Sequence, residues 1–267
     1  MAGRRSHDSS KTRVAPVFDD LFEQDPTGEK WLAGLLSLPR GGNAIDPELS
    51  RNPGRIARAR WDSRDGATRE KRLAPPRALL EWLVVHLGEI QTAEIEGNDK
   101  KAERRRRLQK GDPATVEKAL AKLASGAKTR AWYVLEGKSA PDVFLETPEA
   151  VIVVEGKRTE RAPAVGTKWM PERHQLLRHM DAAYELAGPR PVLGFFIVEG
   201  GKTGEVPRAW LDAARATLSP EAVAASLPHR EQPDRDAITR GFLGVTTWQQ
   251  VCDRLGVDPG VLPDRAA

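Results

Sequence analysis

Two acids and a lysine are the residues of this chain whose types and spacing could do chemistry together. In the stretch PDVFLETPEAVIVVEGK, Asp142 stands thirteen residues ahead of Glu155, and Glu155 two ahead of Lys157. Side chains alternate along a strand, so Glu155 and Lys157 face one side at the end of the apolar run Val151-Ile152-Val153-Val154. A buried strand has no structural use for a Glu and a Lys on one face unless they pair or bind something. Asp142 opens the preceding strand candidate, and the start of one antiparallel strand lies beside the end of the next. Asp142 and Glu155 would give hard oxygen ligands to a magnesium-like ion, with the backbone carbonyl of Gly156 as a third. Such an ion polarises a phosphate and acidifies a bound water. Lys157 would orient or deprotonate that water, or stabilise a pentavalent transition state. The bland alternative is a surface salt-bridge cluster.

The elements that must position these groups are readable around them. ALLEWLVVHL, after Pro75-Pro76, is apolar nearly all round and predicts a buried helix ending near Gly88. Asp112-Pro113 caps a second helix, stopped by Gly126. Strands are expected over Ala131–Leu135, Val143–Glu146 and Val151–Glu155, with connections short enough for an antiparallel meander. A helix over Pro171–Ala187 follows, with Leu176, Leu177, Met180 and Tyr184 as its apolar stripe. Val192–Val198 is then a buried strand that pairs most easily parallel to an earlier one through a crossover. Helices near Pro207–Leu218 and Pro220–Leu227, then a strand and short helix over Phe242–Leu255, complete the chain. The expected fold is an α/β sandwich around a central mixed sheet, a three-strand meander plus a crossover strand, flanked by helices.

Asp142, Glu155 and Lys157, with Pro141 before them, form PD-x12-E-G-K between two strands and ahead of a long helix. This resembles the PD-(D/E)xK nuclease superfamily, also called restriction-endonuclease-like, over roughly residues 112–200. The resemblance implies a helix-strand-strand-strand-helix-strand core, one or two Mg2+ ions with Mn2+ able to substitute, and hydrolysis of DNA phosphodiesters. Many members carry a further acid upstream; Glu117 and Glu81 are the two candidates. The glutamine and tyrosine four apart that mark some exonuclease-type relatives are not met, since Gln175 and Tyr184 are nine apart. Gln175, Arg178 and His179 border the apolar stripe of their helix, and a plain polar helix face is the expectation for each. A second EGK, at Glu136–Lys138, lacks a spaced PD.

Composition sets the frame for this reading. Among 267 residues 30% are charged and 39% apolar, and the mean hydropathy is −0.51, so a water-soluble domain is expected. The lone Cys252 excludes an internal disulfide or a cysteine-based zinc site and suggests a reducing compartment. MAGRRSHDSSKTR has no apolar segment after it and no run approaches a membrane span, so a cytoplasmic location without membrane contact is expected. Net charge is +4, but Arg51, Arg55, Arg58, Arg60, Arg64, Arg69, Lys71 and Arg72 cluster, as do Lys100 to Arg107. Clusters like these suit a phosphate backbone, and equally a solvated basic segment with no partner. Residues 1–75 are expected as a basic, flexible arm with a short helix, 76–267 as the nuclease-like domain, and 203–267 as its peripheral helical part. The partner expected is nucleic acid, DNA by resemblance, with a homodimer open. A catalytically inactive nucleic-acid-binding module of the same fold is the rival reading.

Overall fold

The computed structural model describes residues 9–126, 135–164, 166–167 and 169–262. In chain order, a π-helical turn, Ser10–Val14, leads into α1 (Ala15–Gln24), α2 (Leu32–Leu36), β1 (Arg40–Gly41), α3 (Pro47–Arg51) and β2 (Arg58–Trp61). Then come α4 (Arg77–Ile90), α5 (Lys100–Gln109), α6 (Pro113–Ala124), β3 (Val143–Glu146), β4 (Val151–Gly156), α7 (Gln175–Ala187) and β5 (Val192–Val198). The chain closes with α8 (Arg208–Thr217), α9 (Pro220–Ser226), α10 (Gln232–Arg240), β6 (Phe242–Thr247) and α11 (Trp248–Leu255).

The protein is α/β, with one six-stranded mixed sheet in the order β1-β6-β5-β4-β3-β2. β2, β3 and β4 run antiparallel in turn, whereas β4, β5 and β6 are parallel. Every residue of β4, β5 and β6 is buried, as expected of parallel strands covered on both faces. On one face, Ile152, Val154, Phe195 and Ile197 pack under Phe18, Leu35 and Trp248, from α1, α2 and α11. On the other, Val151, Val153 and Phe196 pack under Leu176, Leu177 and Met180 of α7 and Trp210 of α8. Gly194 lets α7 lie this close, because a Cβ there would meet the Met180 sulfur at 2.5 Å. A third cluster, built on Leu79, Leu83 and Leu87 of α4 with Leu108 and Ala119, makes a separate helical layer. No helix among the described residues is long and apolar enough to cross a membrane.

Several expectations are corrected. The 1–75 arm is not a flexible appendage over its described part: Val14, Phe18 and Leu21 are fully buried, and the segment supplies both edge strands, β1 and β2. These strands are short and arginine-bearing, and pairing with β6 and β3 holds them rather than their own alternation. The first strand of the meander is therefore β2; the expected strand at Ala131–Leu135 lies, apart from Leu135, outside the described residues. The C-terminal part is not peripheral either, since β6 sits between β1 and β5. α7 starts at Gln175 rather than Pro171, with the His174 ring accepting the Leu177 N–H at its N-terminus. α10 had no counterpart in the sequence reading, because only Ile238 of its residues is buried and its apolar signal is correspondingly thin.

Candidate active site

The parallel strands end on one edge of the sheet, and there the chain brings its chemistry-bearing residues together. Val143 is registered against Val154, so one residue further on Asp142 stands beside Glu155. The Asp142 carboxylate occupies the end of the ladder: Oδ2 accepts the Gly156 N–H at 2.8 Å. On the other side of β4, the Lys157 N–H donates to the Ile197 carbonyl, and the Trp248 indole donates to the Lys157 carbonyl. The backbone of residues 156 and 157 is thus pinned on both sides. Gly156 has its own reason to lack a side chain, because a Cβ would meet Val14 and Trp248 at 2.5 and 2.8 Å.

Glu155, only 2% exposed, is the hub of the site. Its Oε2 accepts from Lys157 Nζ at 3.2 Å and from Gln175 Nε2 at 2.7 Å. His179 Nε2 lies 2.9 Å from Oε1, which has no aligned hydrogen-bond donor among the described residues. Gln175 and His179 are one helical turn apart on α7 and therefore reach the same point of the sheet. Burial pushes the Glu155 carboxyl up, but His179 and Lys157 outweigh it and hold the group below its ordinary value. Asp142 goes the other way. Burial first, and then the charge of Glu155, push it up to about 8 against the opposing pull of Lys157 and the Gly156 N–H.

Glu70 is the acid that sequence reasoning missed. Leu73 and Ser139 exchange both backbone hydrogen bonds, at 2.7 and 3.0 Å. Glu70 stands three residues before Leu73 and Asp142 three after Ser139, and the Glu70 charge adds to the upward push on Asp142. The two acids weighed upstream have other surroundings: Glu81 is bound by Arg77 at 2.7 Å and Glu117 is exposed on α6. Gln175 and His179, read as a plain helix face, belong to the site. The signal available for them was two polar residues four apart, flanking a stripe that is buried almost all round. The Glu136 of the other EGK is buried under Arg173, 3.1 Å away, and has a structural partner. Trp169 packs beside the helical layer with Arg105 over its ring, 4.8 Å from the centroid.

Among the described residues, no group of three or more His, Cys, Asp or Glu side chains is arranged to hold a metal ion. The donor set at the strand ends is two carboxylates, a lysine, an amide and an imidazole, with a third carboxylate alongside. No family model matches the chain, and neither a curated protein nor a solved structure matches it.

Proposed function

We propose that this chain is a divalent-metal-dependent nuclease of the PD-(D/E)xK type, acting on phosphodiester bonds, with DNA as substrate. The restriction-endonuclease-like core is part of the same proposal. The observation that carries it is geometric: Asp142 and Glu155 meet at adjoining strand ends, with Val143 registered against Val154, Asp142 Oδ2 held by the Gly156 N–H at 2.8 Å, and Glu155 buried beside it. Two carboxylates packed side by side repel unless a cation lies between them, and a magnesium-like ion is the cation that this oxygen chemistry suits. Mg2+ takes one or two carboxylates and keeps several waters, so the set does not need a third side chain. Asp142, Glu155 and the Gly156 carbonyl would hold it, with Mn2+ as a substitute; when bound, the ion acidifies water and polarises the phosphate.

The chain's own groups then have distinct work. Gln175 and His179 fix the Glu155 carboxylate, so its orientation does not depend on the ion. Lys157, itself only 9% exposed with its ammonium on Glu155, supplies a positive charge toward the phosphate oxygens or orients the attacking water. The Gly156 N–H fixes Asp142 from the backbone.

The rival reading is a nucleic-acid-binding module of the same fold that does not cut. The experiment is cleavage of linear, circular and single-stranded DNA in Mg2+, Mn2+ or EDTA, with Asp142→Ala and Lys157→Ala beside the wild type. Metal-dependent cutting lost in both variants supports the nuclease. Salt-sensitive DNA binding without any cutting selects the binding module.

A further inference from the structure

The basic run from Arg51 to Arg72 does not act as one cloud of charge. Five of its eight cations are matched: Arg51 with Glu48, Arg55 with Glu29, Arg58 with Glu146, Arg64 with Asp19 and Arg69 with Asp62. Arg60, Lys71 and Arg72 have no carboxylate within ion-pair distance among the described residues. The fold sorts these three. Arg60 is registered against Phe144, so both side chains lie on the face of the sheet that α7 covers further in. α7 packs on β4 and β5, and over β2 Arg60 is exposed. Lys71 reaches the same face, with Nζ 5.9 Å from the centre of the Phe144 ring, next to Leu73 in that core. Arg72, between Lys71 and Leu73 in sequence, is exposed.

We infer that Arg60 and Lys71 form a sequence-independent cradle for the phosphodiester backbone of the nucleic-acid strand that leaves the Asp142–Glu155 site. This rests on the nuclease reading and deepens it by giving the strand its path. Phe144 is two residues along β3 from Asp142, and Arg60 is one strand across from Phe144. From strand spacings, Arg60 is roughly 8 Å from Asp142 at the backbone, within reach of phosphates neighbouring a scissile one. The cradle offers only cations. Phe144 beneath it is fully buried and gives no ring on which a base could stack. Contacts made only to phosphates position a strand without reading its bases.

The test is binding of fluorescein-labelled DNA and RNA, single-stranded and duplex, by the full chain in EDTA, measured by anisotropy across a range of KCl. Wild type is compared with Arg60→Ala/Lys71→Ala, with the charge-retaining Arg60→Lys/Lys71→Arg, and with Arg208→Ala/Arg215→Ala. The last pair removes the same charge from α8, which packs on β1 and β6 at the far edge of the sheet. Each lost phosphate contact lowers the salt slope by roughly 0.7 on a single strand and 0.9 on duplex DNA. For two contacts the expected loss of affinity is roughly 25- to 60-fold at 0.1 M salt. The charge-retaining and α8 pairs should keep the wild-type slope. In the same preparations, Mn2+-dependent hydrolysis of thymidine 5′-monophosphate p-nitrophenyl ester, too short to reach the cradle, should be unchanged by Arg60→Ala/Lys71→Ala. An unaltered salt slope in Arg60→Ala/Lys71→Ala overturns the cradle, as does an equal loss in the α8 pair. A reduced slope with no hydrolysis by any form keeps the cradle and overturns the nuclease reading instead.

Discussion

α7 holds two buried charge clusters, and they are built on opposite principles. Toward its middle, Asp181 is fully buried and its needs are met: Oδ1 accepts from Arg230 at 2.8 Å and Oδ2 from Arg173 at 2.7 Å, with His229 3.1 Å away. Arg173 is equally saturated, spreading its guanidinium over Asp181, both oxygens of Glu136 and the Ser226 carbonyl. At the N-terminal end, Gln175 and His179 converge on Glu155, but Asp142 beside it is driven up by burial first and then by the Glu155 charge, which the pull of Lys157 does not offset. One cluster is closed on itself and holds α7 to the segments at 136 and 226–230. The other is deficient in positive charge, which is the condition under which an ion is gained.

The largest effect should come from breaking the closed cluster. Asp181→Asn leaves Arg173 and Arg230 buried against a neutral amide, at a cost of about 3–5 kcal/mol, readable as a lower midpoint in urea unfolding. Its pH signature is equally specific. Burial pushes the Asp181 carboxyl up, but His229, Arg173 and Arg230 prevail and hold it well below the ordinary range. The folded pKa is depressed, so this stability is present above about pH 4 and is lost as pH falls further. His174, pushed down to about 4 by burial, contributes in the same direction, with stability declining between about pH 6.5 and 4. Acid unfolding should therefore begin at higher pH in wild type than in a variant with Asp181 and its cationic partners replaced by apolar residues.

The next effect sharpens the other side of the comparison. Gln175→Ala or His179→Asn should lower metal-dependent cleavage by about 10- to 100-fold, as loss of groups that orient a ligand does, with the unfolding midpoint little changed. Smaller still is the stability change at Asp142, and its sign is reversed. The folded pKa, about 8, lies above the unfolded value of about 4. The stability linked to its proton is present below about pH 4 and is lost as pH rises through about 8. Asp142→Asn should therefore raise the metal-free melting temperature at pH 8.5 by a few degrees, corresponding to about 1–2 kcal/mol, and do little at pH 5. Loss of stability at pH 8.5 would mean that Asp142 belongs with the closed kind.

The two clusters also differ in how far they were legible. Asp142, Glu155 and Lys157 sit on one hairpin, where alternation along Val151–Gly156 and a short turn bring them together from local pattern alone. The parallel partner Val192–Val198 was legible for the same reason, as a continuous apolar run. Glu70 was not, because it arrives through a single bridge between Leu73 and Ser139, sixty-six residues apart. The edge strands failed likewise: Arg40–Gly41 has only two residues and Arg58–Trp61 carries two arginines, so their pairing is fixed by β6 and β3. β6 read as part of a peripheral segment because position within a sheet is a long-range property that six apolar-rich residues do not encode. The Asp181 cluster joins residues 136, 173, 181, 229 and 230, and no spacing in the sequence announces it.

Asp142 and Glu155 are proposed to be short of a cation that a divalent ion supplies. Calorimetric titration of Mn2+ and Mg2+ into the wild-type chain and Asp142→Asn, at pH 6.5 and 8.5, tests this most directly. One saturable ion-binding event is expected in wild type, tighter at pH 8.5 and releasing a proton at pH 6.5, and Asp142→Asn should abolish it. Absence of binding, or binding that neither strengthens with pH nor depends on Asp142, would contradict the proposal.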